Sequence, residues 1–298
     1  MTASESESLK PSRSSFASFA FWERFVAAGA TFVIAAPMIW AAGYSLAYSF
    51  GLIGLLSDGF TTRHWSAALF SGSLIDSLLF SIRMAASATL LTVGGVLTLL
   101  LVAPTLRFSK AASTIAIILM GAPAAVIALA TLQIFRQGGF LSRLAYQCGL
   151  IGGAADFPVL TEDRFGVGIL IALTCSQFPL AWLYFSQLWN SAKIDAACRQ
   201  AEFLGATRSQ ARRRVALPML LLRGRAMIVL LFLLGLGSFE IPYLLGRQSP
   251  QMFSVLIHRR FGQYDLRIRP EAFASATVYF ALASLLLLLF VYWKKRHA

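Results

Sequence analysis

Six long apolar runs, near residues 25–50, 77–103, 111–135, 166–189, 226–247 and 271–293, constrain this chain more than any motif does. A bilayer core about 30 Å thick takes about 20 apolar residues per helical crossing, and each run meets that length. In hydrocarbon the backbone must satisfy its own hydrogen bonds, so such runs fold as helices. The fold class that follows is an all-α integral membrane protein with six transmembrane helices. Composition excludes a soluble globule: 57% of the residues are hydrophobic and 13% charged, against about 25% charged in an ordinary soluble domain. The first run is long enough to tilt or to continue along the interface. Pro123 in the third run and Pro179 in the fourth predict kinks.

Charge placement orients the crossings. With six of them, both termini share a side with the connections around 104–110 and 190–225. Sixteen of the 26 Lys and Arg residues lie on that side and nine on the other, with Arg83 inside the second run. The positive-inside rule puts both termini and the 190–225 segment in the cytoplasm. The net charge of +13 is mostly this asymmetry. Because the basic residues flank spans, no nucleic-acid partner is expected. Residues 1–24 read as a polar, Ser-rich cytoplasmic tail, and 25–298 as the transmembrane domain.

Cys148, Cys175 and Cys198 form no disulfide framework, and the three histidines are far apart in sequence, so neither a metal nor a cofactor is expected. No GxxxxGK[ST], GxSxG or HExxH motif occurs. The expected class is therefore a non-enzyme without its own ATPase motif.

The segment 190–225 is basic, punctuated by Gly and Pro, and has its own periodicity. Ile194, Ala197, Ala201 and Leu204 recur at three- and four-residue spacing, so a short helix can present an apolar stripe there. Asp195, Arg199, Gln200 and Glu202 fall on its other face. Gly205 then breaks the helix. A second short helix from about Thr207 carries Arg212, Arg213 and Arg214, and Pro218 sits at the first turn of the next helix. A docking element for a partner protein fits this pattern; a basic connector lying at the lipid headgroups is the simpler alternative.

The same segment resembles the cytoplasmic "EAA" loop of binding-protein-dependent ABC importer permeases, the type I or MetI-like family. The family reads roughly E-A-A-x-x-L-G-A, then L-P after a further hydrophobe. Arg199-Gln200-Ala201-Glu202-Phe203-Leu204-Gly205-Ala206 and Val215-Ala216-Leu217-Pro218 occupy those positions. Arg199 and Gln200 replace the acidic-alanine start, and Ser209 and Arg212 stand where aromatic residues are common. Asp76-Ser77-Leu78 is similar to the family's N-S-L segment. Gly237 to Gly246, Gln251 to Ile257 and Arg269 to Ala272 are similar to the spermidine/putrescine-type branch, which also includes ferric iron, thiamine and phosphonate permeases.

The resemblance, covering about residues 70–293, implies a MetI-like ABC permease fold in a bacterial inner membrane. Its implied partners are cytoplasmic ABC ATPase subunits, a second permease (the same or a paralogue) and a periplasmic solute-binding protein. Ala201, Leu204, Gly205, Ala206, Leu217 and Pro218 are the implied ATPase-coupling residues.

Glu240, in the fifth run, and Arg83 are ionisable residues inside apolar runs, where charge costs at least about 2.5–3.5 kcal/mol at the bilayer centre. Glu240 reads as a pathway residue for a cationic, polyamine-like solute. Alternatively it pairs with Arg83, or each snorkels to an interface. Gln177 and Gln187 face either a polar path or a neighbouring helix. A secondary transporter acting without an ATPase is the competing class, although no internal repeat of the kind such folds carry is evident. An intramembrane enzyme would need more polar groups than the spans hold. For the orientation, a reporter fused at Ala298 is expected to read cytoplasm and one after Gly153 periplasm; a periplasmic signal at Ala298 overturns it.

Overall fold

A computed structural model describes residues 13–54, 59–107 and 109–296, with side chains from residue 25 onward. Residues 1–12 of the expected tail, and Ala298 with its neighbour, lie outside the described residues. Among the described residues the regular structure is helical throughout. In chain order it comprises α1 Arg13–Ser49, α2 Arg63–Phe70, α3 Gly72–Val102, α4 Pro104–Arg107, α5 Lys110–Met120, α6 Ala124–Phe135 and α7 Phe140–Gln147. There follow α8 Val167–Ser191, α9 Ile194–Phe203, α10 Arg208–Ala211, α11 Leu217–Leu236, α12 Glu240–Leu245, α13 Phe253–Phe261 and α14 Arg269–Arg296. Six helical stretches are long and apolar enough to cross a membrane.

The third and fifth stretches differ from their expected extents. The apolar run 111–135 is two helices, α5 and α6, separated at Gly121–Pro123. Proline removes an N–H and clashes with the preceding turn, and here Pro123 ends one helix outright and caps the next. Counted from Ala124 onward, α6 and α7 together make the apolar stretch Ala124–Gln147. The fifth crossing occupies Arg208–Leu236, upstream of the 226–247 expected from hydropathy. It ends at Gly237, and α12 begins separately after Ser238 and Phe239. Arginines at 208, 212, 213, 214, 223 and 225 mask the helical start of this stretch in any hydropathy window. Pro179, by contrast, lies within an unbroken α8.

α3 packs on α8 and α11 and forms the centre of the bundle. Small residues permit the close approach. A Cβ on Gly224 of α11 would stand 2.4 Å from the Phe185 ring of α8, and one on Gly235 would meet Gln177 and Ala85. One apolar cluster, with Val96, Leu100, Phe185, Trp189 and Leu220, fills the end of the bundle nearest α9. A second, with Phe80, Met84, Ile169, Leu173 and Ile241, fills the opposite end. α1 packs along α14, with Ser45 Oγ 3.0 Å from Thr277 Oγ1 and the Tyr48 and Phe273 ring centroids 4.3 Å apart. The two ends of the α3–α8–α11 core hold the two sets of residues of interest.

Candidate functional site

At one end of the bundle, residues 192–220 form a helical hairpin. α9 folds back on the start of the long stretch containing α11, and the reason is its apolar stripe. Ile194 is fully buried, and Cys198 and Ala201 follow it on the same face, packing with Ala211, Ala216, Leu217 and Leu220. The stripe expected at Ile194, Ala197, Ala201 and Leu204 is therefore shifted, with Cys198 taking the inward position, and it serves the hairpin's own core. The expectation that this stripe forms the outward docking face is corrected: burial against the bundle gains more than leaving it in water.

The turn explains the Leu-Gly-Ala sequence. Gly205 has φ +94°, its N–H donates to Glu202 O at 3.0 Å, and the Ala206 N–H donates to Ala201 O at 3.0 Å. This pair of bonds is a Schellman motif, in which the left-handed residue is almost always glycine. Thr207 then starts the next helix with a capping box: its hydroxyl accepts from Gln210 N–H while Gln210 Oε1 accepts from Thr207 N–H at 3.0 Å. The T-x-x-Q signal was legible in the sequence.

The second helix is not short. α10 passes through one π turn at Arg212–Ala216 directly into α11. Leu217 N–H bonds Arg212 O, five residues back, so the wider turn precedes Pro218, which has no N–H to donate. The three arginines ride on this π turn.

Of the expected coupling residues, Ala201 and Leu217 are half-buried in the hairpin core and Ala206 is half-buried at the turn. Pro218 is exposed on the stem. Leu204 is at the tip and 90% exposed; Phe203 beside it, absent from the expected set, is 89% exposed. These two large apolar side chains project from an otherwise polar hairpin held rigid on both sides by caps. Phe203 was missed because it lies out of phase with the stripe.

Glu240 lies away from this hairpin. It is exposed at the first turn of α12, and the expectation that it sits within a continuous fifth span is corrected by the break at Gly237–Phe239. Its Oε2 accepts from the Ala125 N–H at 2.8 Å, at the start of α6. A helix start presents unpaired N–H groups and positive potential, which a carboxylate satisfies. The rings of Phe239, Tyr243 and His258 pack on one another between α12 and α13, Phe239 stacked on Tyr243 at 5.2 Å and 4.8 Å from His258.

Arg83 does not pair with Glu240. Its Nη2 donates to Phe165 O at 3.2 Å, and it lines an open cavity of about 620 Å³ together with Asp76, Leu79, Arg164 and Ser249. Gln177 Nε2 donates to Leu231 O at 3.0 Å, so it bridges α8 and α11, whereas Gln187 is exposed. Among the described residues, no group of three His, Cys, Asp or Glu is placed to hold a metal.

No family model matches the chain, and no curated protein matches it. Solved structures do. The chain is similar to a crystal structure of a bacterial ABC transporter involved in the import of the acidic polysaccharide alginate, with a TM-score of 0.66 and 17% identity over 93% of this chain and 96% of that one. It is also similar to a bacterial alginate ABC transporter in complex with an alginate pentasaccharide-bound periplasmic protein, with a TM-score of 0.62 and 18% identity over 91% and 92%. The all-helical, six-crossing fold is shared with these structures.

The inward stripe and outward tip are separable by thiol chemistry. Burial pushes the Cys198 thiol above its ordinary range, and Asp195 and Glu202 add to the rise. With Cys148 and Cys175 replaced by Ser, Cys198 is expected to react with maleimide at least about tenfold more slowly at neutral pH than Leu204→Cys in a Cys198→Ser background. Its labelling is also expected to begin at a higher pH, since the thiolate is the reacting form. Equal rates overturn the assignment of the two faces.

Proposed function

We propose that this chain is the membrane-spanning permease subunit of an ABC importer, moving a small solute across a bacterial inner membrane with energy from separate ATPase subunits. The observation that carries the proposal is the capped hairpin tip, where Phe203 and Leu204 stand exposed at the end of a stem continuous with the fifth crossing. An apolar pair on a rigid polar hairpin is the kind of anchor that fills a partner's pocket. The stem converts displacement of the tip into displacement of a transmembrane helix. The fold likeness, which extends over more than nine-tenths of both chains, supports the same reading. The partners are cytoplasmic ATPase subunits at the tip, a second permease subunit and a periplasmic solute-binding protein. Both termini and the hairpin face the cytoplasm, following the basic-residue asymmetry. A secondary transporter leaves the exposed tip without a use.

The finer part of the proposal is a cationic, polyamine-like solute. Glu240 supports it, being an exposed carboxylate at the first turn of α12, bound through one oxygen to the Ala125 N–H. An exposed carboxylate attracts an ammonium group by charge. The alginate named for the two similar structures is an acidic polysaccharide, so a cationic solute separates this chain from them in substrate class.

Two measurements test the two parts. Leu204→Asp and Gly205→Val, the second forcing a Cβ into φ +94°, are each expected to leave the protein inserted. Each is expected to weaken co-purification of a co-expressed partner ABC ATPase subunit by about thirtyfold, the loss of an anchor of about 2 kcal/mol. Undiminished recruitment in both sinks the permease reading. Glu240→Gln is expected to assemble normally and to lose uptake of putrescine or spermidine; uptake equal to wild type removes the cationic solute and leaves the permease reading intact.

A further inference from the structure

Arg107, on α4 between the second and third crossings, is 8% exposed and touches three other helices at once. Its Nη1 donates to Asp195 Oδ1 at 3.3 Å, in the first turn of α9. Its Nε donates to the carbonyl of Leu100, in the last turn of α3. Its guanidinium carbon lies 3.8 Å from the centre of the Trp189 ring, in the last turn of α8, and Trp189 is itself 1% exposed. Arg212, on the π turn of the hairpin, is close enough to add its own field. Among the described residues Arg107–Asp195 is the salt bridge the chain makes.

The chemistry of these contacts is directional. A guanidinium is planar, always charged, and presents donors in a fixed fork while stacking its face on a ring. Arg107 uses both faculties, donating to Leu100 and Asp195 and standing over the Trp189 ring. Asp195 gains in turn, because a carboxylate in the first turn of a helix is stabilised by the unpaired N–H groups there. An ordinary surface pair contributes little. This one is largely shielded from water on the arginine side, where removing one partner leaves a buried charge and costs much more.

We infer that Arg107 is a positioning residue that transmits displacement of the α9 hairpin to α3, and through α3 to the cavity at the far end of the bundle. This rests on the permease reading of the hairpin. α9 is joined to its own stem by apolar contacts, by the Cys198 thiol donating to Ala211 O at 3.8 Å and by the capped turn. The Arg107 contacts are the charged and geometrically specific link from α9 to the central helix α3, whose opposite end carries Asp76, Leu79 and Arg83 on the wall of the 620 Å³ cavity. Beside the stem, movement of the hairpin therefore has a second route to the cavity wall, along α3, and that route runs through one cation.

The test uses the assembled complex, this chain with its ABC ATPase and second permease subunits, in nanodiscs. The native cysteines are replaced by serine, and Leu79→Cys serves as the probe. In otherwise wild-type complexes, ATP with vanadate is expected to change the maleimide labelling rate of Leu79→Cys. Arg107→Gln and Asp195→Asn are expected to retain ATPase co-purification while losing about tenfold of that change, in the range of ordinary coupling free energies. Arg107→Lys, which keeps the charge but not the stack on Trp189, is expected to fall between. A response of wild-type size in Arg107→Gln and Asp195→Asn complexes overturns the inference, as does a loss confined to protein abundance with the response per complex unchanged. Asp195 is partly exposed, so Asp195→Asn decides the matter where Arg107→Gln does not accumulate. Failure of the wild-type chain to hold the ATPase is a separate result, which removes the permease reading along with this one.

Discussion

Inside a bilayer no water is present to accept or donate a hydrogen bond, so each interruption of a helix must find its partners within the protein. Among the described residues the apolar helices are interrupted at Gly121–Pro123 and at Gly237–Phe239, and these two interruptions answer one another. The helix start after the first break exposes the Ala125 N–H, and the helix that begins after the second break supplies Glu240 to accept from it. Nearby, the Ser81 hydroxyl accepts from the Phe253 N–H at 2.7 Å, and Ser254 donates to Ser238 O at 2.6 Å. The breaks are thus cross-braced, and the irregular backbone they create is lined by polar groups in an otherwise apolar bundle. Glu240 thus holds the start of α6 through Oε2, so the carboxylate proposed to face the solute also satisfies a helix terminus.

At the α9 end the governing interactions are caps. Gly205 and the Thr207–Gln210 box set the angle of a two-helix turn whose inner face is buried and whose tip is apolar and exposed. A turn specified by four backbone and side-chain bonds is stiff. For the coupling proposed above such stiffness is required, because a lever that bends loses displacement before it reaches the membrane. Arg107 extends the same logic into the bundle: a charged fork and a ring fix orientation in a way that apolar contacts do not.

The number of crossings and the all-helical class followed from apolar run length alone, since a run of that length has one low-energy form in hydrocarbon. The hairpin's turn was also written in local sequence. Gly205 is the residue type the left-handed C-terminal position demands, and T-x-x-Q marks the next start. Local hydrogen bonding decides both, so no distant partner was needed to read them.

What only the tertiary structure decided is everything that depends on which surface meets which. The stripe at Ile194 is compatible with facing a partner or facing home; the presence of Leu220, Ala216 and Trp189 at the end of the bundle turned it inward and left Phe203 and Leu204 outside. Hydropathy could not locate the start of the fifth crossing, because a helix can carry arginines beyond the hydrocarbon without ending. Nor could it separate α12 from α11, since a break of three residues between apolar segments leaves the average unchanged. The partners of Glu240 and Arg107 lie 115 and 88 residues away in sequence. Contacts at such separations are fixed by the packing of whole helices, which no local pattern encodes.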